Sequence, residues 1–474
     1  MGFQEYMPGF RPVVLGIAAL ALAGCATFSE DGGMNTVSAL TTERTGQSIQ
    51  LAKPGHDTEL AEKNVHQLLG KPLTPDTAVQ IALLNNKGLQ ASFAELGIVE
   101  ADLVAAGWMR NPGFSFGRMR TGNDVEIDRS IMFDLLGLLT IPIRSGIEQR
   151  RFEQAKLQAA SQAVRLAADT RKAYFNAVAA QQTVQYMGQV GTAAEASAEL
   201  ARRMAQVGNF SKLDQAREQA FYADATAQIA RARHNATAAR EQLSRLMGVW
   251  GDKTAFQLPD RLPDLPKAPD TINDAESQAM QQRLDIQMAR RGAESTAQAL
   301  GLSKASRFIN VLDVGYASKS ETGAPRGNGY EIALELPIFD WSGAKVAKAE
   351  AIYMQSVHRT ADIAIRARSE VRESWSAYRT AYDLARHYRD EVVPLRKKIS
   401  DEMLLRYNGM LASVFELLAD ARTQIGSVNA AIETQRDYWL AETDLQAAIN
   451  GSGSGGSSST QMRTPASGEA AQEH

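Results

Sequence analysis

The chain has 474 residues, a net charge of −3 and one cysteine, Cys25, and 44% of its residues are hydrophobic although aromatics supply little of that share. The near-neutral balance without a run of like charges excludes a basic nucleic-acid-binding arm, and one cysteine excludes a disulfide framework or a cysteine-built metal site. The length fits two or three ordinary domains or one elongated one, and the abundance of alanine favours long, closely approached helices over a globular core.

At the N-terminus, Arg11 precedes the apolar run VVLGIAALALAG, which ends in Leu22-Ala23-Gly24-Cys25. The run is too short to span a bilayer and has the small-residue ending of a signal peptide, residues 1–24. Leu-Ala-Gly-Cys resembles a lipobox, whose cysteine becomes the lipidated N-terminus after cleavage, so Cys25 is the expected lipidation site. A plain signal peptide with a chance cysteine is the alternative. Ala26 stands where aspartate marks inner-membrane retention, so by that analogy the anchor belongs in the outer membrane, where acyl chains hold it by burying CH₂ groups. Residues 25–72, rich in Thr, Ser, Gly and Gln, read as an extended arm and not a domain.

Residues 73–250 form a first repeat. Thr74 is a candidate N-cap with Pro75 at the first helical position, Thr77 and Asp76 serving almost as well, and apolar residues keep helical spacing to Trp108. Asn111-Pro112-Gly113 stops that helix. Two alternating runs, GFSFGRMRT and VEIDRSIMF, flank Gly122-Asn123-Asp124 and predict a hairpin at about 113–134. Pro142 and Ser145-Gly146 then open a long helix, with Ser145 and Glu148 in the spacing of a capping box.

A Pro-rich linker, 251–270, leads to a second repeat, 271–450, in the same order. A helix is expected over about 271–306, with Gln282-Arg283-Leu284-Asp285-Ile286 standing where Asn86-Lys87-Gly88-Leu89 stands in the first repeat. Strands FINVLDVGYA and GYEIALELP follow, at about 308–337. Pro337 then ends the ladder, Ser342 or Asp340 caps a second long helix, and Gly343 permits close packing at the joint. Late breaks recur at Val207-Gly208-Asn209 and Asn408-Gly409-Met410, each before a last helix of some 40 residues. Residues 451–474 read as a flexible tail. A repeat of this size marks one duplicated unit. From Ser145 to Val207, or from Ser342 to Asn408, is roughly 65 residues, or about 95 Å of helix, longer than a compact globule accommodates. Pro394 is placed to kink the second of these helices.

The strands alternate. Tyr330, Ile332, Leu334 and Leu336 face one way, and Glu331, Ala333 and Glu335 the other. Leu312, Val314 and Tyr316 oppose Asp313 and Gly315; Val125, Ile127, Ile131 and Phe133 oppose Glu126, Asp128 and Ser130. Such runs have the length and pattern of tilted transmembrane strands. Two soluble hairpins packed on helices alternate in the same way, and Arg118 and Arg129 fall on the apolar parity, which favours that second reading. Four strands cannot close a barrel in one chain, so the membrane reading requires an oligomer.

The lipobox, the duplicated helix–hairpin–helix halves and the Pro…Ser-Gly junctions together resemble the TolC-type outer-membrane efflux proteins, above all their lipoprotein branch, over about residues 73–450. Further matching pieces are Leu-x-Pro-x-x-Ala-Val (Leu73 to Val79), Arg-Leu-Asp-Ile (Arg283 to Ile286), Leu-Pro-Ile-Phe-Asp (Leu336 to Asp340) and Tyr407-x-Gly409. The resemblance implies a mainly α fold with a small β part: a homotrimer whose long antiparallel helices form an α-barrel tunnel and whose four strands per chain build a twelve-stranded barrel. It implies an outer-membrane exit duct reaching into the periplasm, passive, docked by a periplasmic membrane-fusion adaptor and an inner-membrane pump, of the RND type. Small molecules or metal ions are the expected cargo.

By the same resemblance the turns at Gly208 and Gly409 form the periplasmic tip. Phe415 and Leu418 occupy positions where the family often carries acids. The gate candidates are therefore Glu416 and Asp420, spaced i to i+4, or Leu417 and Leu418 through apolar closure. Glu126, Asp128, Asp313, Glu331 and Glu335, tripled, would line an acidic, cation-favouring lumen. No cofactor is expected beyond the covalent lipid, and six scattered histidines with no nucleophile elbow or phosphate loop give an enzyme nothing to use. A lipid-anchored periplasmic coiled-coil scaffold without a pore, or the outer-membrane component of a type I secretion system, are the alternatives.

Overall fold

The structure, a computed structural model, describes residues 27–49, 56–269, 274–305, 311–335 and 341–451. Cys25, Pro337 and Asp340 lie outside the described residues, as do the tail beyond Gly451 and the signal segment. Two short helices, α1 (Met34–Thr45) and α2 (His56–Leu69), stand where the sequence reads as an extended arm. In α1 only Val37 and Thr41 are buried. Val37 joins Phe93 and Phe152 in a core cluster, and Met34 and Leu40, three residues to either side, pack against it and seat the helix.

The first repeat continues with α3 (Pro75–Asn85), α4 (Lys87–Ala106), β1 (Gly113–Thr121), β2 (Asp124–Asp134), α5 (Leu135–Gln206) and α6 (Lys212–Met247). The second contains α7 (Ala275–Gln282), α8 (Leu284–Ala305), β3 (Leu312–Glu321), β4 (Gly327–Leu334), α9 (Gly343–His387), α10 (Val393–Asn408) and α11 (Val414–Asn450). No helix among the described residues is long and apolar enough to cross a membrane.

Thr74 caps α3 in a reciprocal box with Thr77, and Pro75 takes the first helical position. The helix expected to run on to Trp108 breaks at Asn86, whose extended backbone lets its Oδ1 accept from Leu89 N–H at 3.0 Å and cap α4. Asn85 and Asn86 also donate to the last carbonyls of α6, at Met247, Gly248 and Leu246. The second repeat breaks at the matching place, Arg283, and Arg283 likewise donates to the end of its own last helix, at Ala448 O (2.8 Å). Both last helices stop on a left-handed glycine, Gly248 (φ 67°) and Gly451 (φ 73°). A Cβ on Gly248 would stand 2.9 Å from Asn85 O, and one on Gly451 3.0 Å from Leu284 N. The duplication therefore extends to how each break is tied down.

The strand-to-helix joints differ from the sequence reading. In the first repeat α5 begins at Leu135, capped by Asp134, whose carboxylate accepts from Gly137 N–H at 2.6 Å. Pro142, Ser145 and Gly146 are all inside this helix, so Ser145 caps nothing. Pro142 removes one backbone donor, but Thr140 donates its hydroxyl to Leu136 O and Gly137 O, and Arg144 donates to Gly137 O. These bonds reach Leu136 and Gly137, next to the Leu138 carbonyl that the proline leaves without its amide partner. The helix reaches 72 residues, about 108 Å. In the second repeat Ser342 holds the N-cap position at φ 55° without a side-chain capping bond. Among the described residues of the single chain, a Cβ on Gly343 would meet nothing within 4 Å, and one on Gly146 would meet only Gln298 at van der Waals distance. A π-helical turn, Tyr388–Val392, absorbs Pro394 between α9 and α10.

The helices pack through small residues: Ala159, Ala160, Ala163, Ala173 and Ala177 of α5 are all buried, which allows close axial approach. The Pro-rich linker straps this middle zone. Its Phe256, Leu262 and Leu265 are buried, Tyr382 donates to Pro266 O and Lys267 O, and Trp439 Nε1 donates to Pro263 O while its ring stacks on Phe175.

Candidate functional site

Two regions carry the candidate residues: the sheet, and the far ends of the long helices. The sheet is antiparallel in the order β1-β2-β3-β4, and the pairing of β2 with β3, from Glu126 opposite Glu321 to Asp134 opposite Asp313, joins the two repeats. Cross-strand partners share a face. The register therefore places Glu126, Asp128, Asp313 and Glu331 on one face, and Glu335 follows one step beyond β4, where its N–H donates to Val311 O. Asp124, Asp134 and Glu321, not singled out in the sequence, share that face. Lys319 is its one cation among the described residues; it stands opposite Asp128 and pairs with Glu126. Gly315 sits between Met132 and Glu331, and a Cβ there would collide with Met132 Sδ and Ile131 O.

On the opposite face Phe114, Phe116, Ile131, Phe133, Tyr330 and Ile332 are all open in the single chain, and Arg118, Arg120 and Arg129 lie toward the hairpin turns. Leu139, Ile143 and Trp341, where strands pass into helices, continue the exposed band. The sheet thus carries its acids on one side and its exposed apolar side chains on the other. β1 and β4 also leave unpaired edges, which in isolation invite strand addition.

At the other end, α5 passes to α6 through Gly208 (φ 82°), and α10 to α11 through Met410 (φ 61°). Asn209 N–H donates to Met204 O and Leu411 N–H to Arg406 O, and serines three residues past each left-handed position, Ser211 and Ser413, cap the next helix. Met410 is thus the structural equivalent of Gly208, whereas Gly409 has φ −80° and plays no such part. A side chain in the left-handed region costs about 1–2 kcal/mol, and Met410 is 94% exposed. Met410→Gly is expected to stabilise the tip by about 1 kcal/mol, read as a raised thermal midpoint; a lowered midpoint would show that the Met410 side chain supplies contacts outweighing its backbone.

Glu416 is committed to the capping box of α11: its carboxylate accepts from Ser413 N–H (2.7 Å) and hydroxyl (3.0 Å), and these bonds hold its pKa below the usual carboxylate value. Asp420, one turn on, is half-buried, and its enclosed Oδ2 has no hydrogen-bond partner among the described residues. Leu417 and Leu418 line a cavity of about 230 Å³ in the seam between the two helical hairpins, with Leu200, Met204, Phe210 and Tyr407. A polar link closes this seam, and no motif in the sequence marks it. Glu218 of α6 is buried, accepts from Ser197 Oγ of α5 at 2.9 Å and pairs with Arg422 of α11 at 3.0 Å. The Arg422 guanidinium lies 4.3 Å above the Phe221 ring.

The comparisons fit this geometry. No protein-family model matches the sequence. The chain aligns with the Campylobacter jejuni CmeC outer membrane channel at a TM-score of 0.70 and 16% identity, covering 90% of this chain and 93% of that one. The chain has the TolC-type channel fold. The same fold appears in the open state of the Neisseria gonorrhoeae MtrE outer membrane channel, at a TM-score of 0.66 and 17% identity over 82% of this chain and 90% of that one. By sequence, the chain is 25% identical over 276 residues to the cobalt-zinc-cadmium resistance protein CzcC of Cupriavidus metallidurans. That match spans 57% of this chain and 64% of the relative. In the channel fold the sheet is the barrel portion and the paired long helices are the tunnel portion.

Proposed function

We propose that the chain is the outer-membrane exit duct of a tripartite efflux system, working as a homotrimer that reaches from the outer membrane into the periplasm. The observation that carries this reading is the two-faced sheet that passes, without a break, into a helix of 72 residues. Three copies joined edge to edge, β1 to β4, give twelve strands and leave no open edge. Their apolar faces then meet lipid and their acidic faces enclose the lumen. The partners that fit are a periplasmic adaptor at the helix tips and an inner-membrane pump, of the RND type, that selects the cargo. Similarity to a metal-resistance protein favours metal ions over other small molecules, and an acid-lined passage suits cations. Cys25 carries the lipid anchor in this reading.

Conductance of the purified chain in a planar bilayer tests it. The wild type and Cys25→Ala are both expected to form membrane-integral, conducting trimers; release of Cys25→Ala into the soluble fraction without conductance would instead favour a lipid-anchored scaffold. Neutralising the lumen acids as Glu126→Gln, Asp128→Asn, Asp313→Asn, Glu331→Gln and Glu335→Gln is expected to bring the cation-to-anion permeability ratio toward parity. An unchanged ratio would remove these residues from the conduction path.

A further inference from the structure

The apolar face of the sheet changes along its length. The rows nearest the helices are aromatic and aliphatic, whereas the rows nearest the hairpin turns hold Arg118, Arg120 and Arg129, with Ser318 and Ser320 opposite or beside them. Arg326, just before β4, belongs to the same face, since its Nε donates to Ser318 Oγ at 2.9 Å. All four arginines therefore stand on the face opposite the acids. Two residues per row advance about 6.7 Å along a strand, or about 5 Å along the axis of a barrel tilted by 45°. The arginines thus occupy a zone about 10–15 Å deep at the end away from the long helices.

A lipid-facing arginine costs about 2–4 kcal/mol at the bilayer midplane and about 0–1 kcal/mol near an interface, so this gradient sets the arginine zone at headgroup level. Among the described residues none of the four forms an ion pair, in contrast to Lys319 on the acidic face. Arg118, Arg120 and Arg326 are exposed. Arg120 and Arg326 are each held through Nε, to Gly122 O (3.1 Å) and to Ser318 Oγ. Arg118 and Arg120 lie on the edge strand β1 and Arg326 beside the edge strand β4, so closure of the sheet into a ring brings them to one junction.

We propose that Arg118, Arg120, Arg129 and Arg326 form a belt that binds the phosphate groups of an anionic glycolipid in the leaflet around the hairpin ends. The inference rests on the exit-duct reading, which gives this face to lipid. Planar guanidinium forks suit phosphate oxygens, and a fixed anion at each chain junction would also fasten the barrel's seams, where strands of different chains meet.

The test uses the full-length trimer in nanodiscs containing lipid A, its dephosphorylated form or phosphatidylethanolamine alone, with retained lipid measured by native mass spectrometry and stability by thermal midpoint. Lipid A is expected to be retained and to raise the midpoint, and the dephosphorylated form is expected to do neither. Combining Arg118→Ser, Arg120→Ser and Arg326→Ser should lower retention about a hundredfold, from about fivefold per arginine. Equal retention of the dephosphorylated lipid, equal retention by the variant, or the same midpoint shift from inorganic phosphate alone would each overturn the belt. Should the triple variant not assemble, the wild-type comparison of the two lipids and Arg326→Ser alone decide. Bilayer conductance of the wild type separates the two ideas: conduction without phosphate-dependent retention sinks the belt alone, whereas no conduction sinks the exit-duct reading beneath it.

Discussion

Arg422→Ala is expected to loosen the seam between the two helical hairpins and to raise the open fraction of the proposed exit duct. Arg422 joins α11 to α6 through Glu218, and Glu218 is joined to α5 by Ser197, so one ion pair spans three helices. Glu218 is buried and Arg422 is 38% exposed, so the two partners are not equivalent. Removing the arginine strands a charge in a low-dielectric seam, which costs about 3–5 kcal/mol, and it also removes the stack over Phe221. Glu218→Gln costs less, about 1–2 kcal/mol, because Arg422 can turn toward water and the glutamine still accepts from Ser197. At 1.4 kcal/mol per factor of ten, a loss of 3 kcal/mol raises the ratio of separated to closed seam about a hundredfold. Single-channel recordings should show the longest open times for Arg422→Ala, intermediate ones for Glu218→Gln and the shortest for the wild type. Both variants gating like the wild type, or the opposite ranking, would mean that this pair does not hold the tip.

The sheet was the most legible part of the sequence, for a geometric reason. Side chains alternate with period two, so Glu126 and Asp128, or Glu331 and Glu335, share a face whatever the register. What alternation cannot convey is which residues of different strands meet. Asp134 opposite Asp313, and Lys319 opposite Asp128, become visible only with the pairing of β2 and β3. The long helices were legible from the span between each strand-to-helix joint and the late break, but their starts were not. Pro142 reads as a helix opener because proline is tolerated best in the first turn, yet here Thr140 and Arg144 supply donors around it, and the helix begins seven residues earlier. The signal for the true start was the spacing of Asp134 and Gly137: a Cβ on Gly137 would collide with the capping carboxylate. At the tip, the glycine in Asn408-Gly409-Met410 draws the eye to the wrong residue, because the left-handed position falls on Met410. The Glu218–Arg422 link has no local signature at all. Its partners are 204 residues apart, and each alone reads as one more solvated charge on a helix.

Arg283 is the other position where one substitution should cost most, and it lies at the break that the duplication repeats. Its side chain is 4% exposed. It reaches Asp285 through Nε (3.1 Å) and Nη2 (2.7 Å), Glu370 of α9 through Nη2 (2.7 Å) and Ala448 O of α11 through Nη1 (2.8 Å). One planar group thus ties the start of α8 to two other helices, a task that the single ammonium of lysine cannot copy. Burial by itself would lower the Arg283 pKa, and the Asp285 and Glu370 carboxylates more than reverse this, so the net shift is upward. A base whose folded pKa is raised contributes stability that is complete below its unfolded pKa and lost only as pH rises through the folded value. For arginine that loss falls in strong alkali, so the contribution from Arg283 is constant across the physiological range. Arg283→Ala is expected to cost about 3–5 kcal/mol and to lower the thermal midpoint equally at pH 6 and pH 8. Arg283→Lys should recover less than half of the loss, and Glu370→Gln should cost little in the Ala background while being costly in the wild type. Additive losses in that double-mutant cycle, or an Arg283→Ala midpoint indistinguishable from the wild type, would show that α8 is held by its apolar contacts alone. The first repeat meets the same need with Asn85 and Asn86, which carry no charge. Asn86→Ala, which removes a neutral cap and one bond to Leu246 O, should therefore cost less than Arg283→Ala although it breaks the same tie in the same fold.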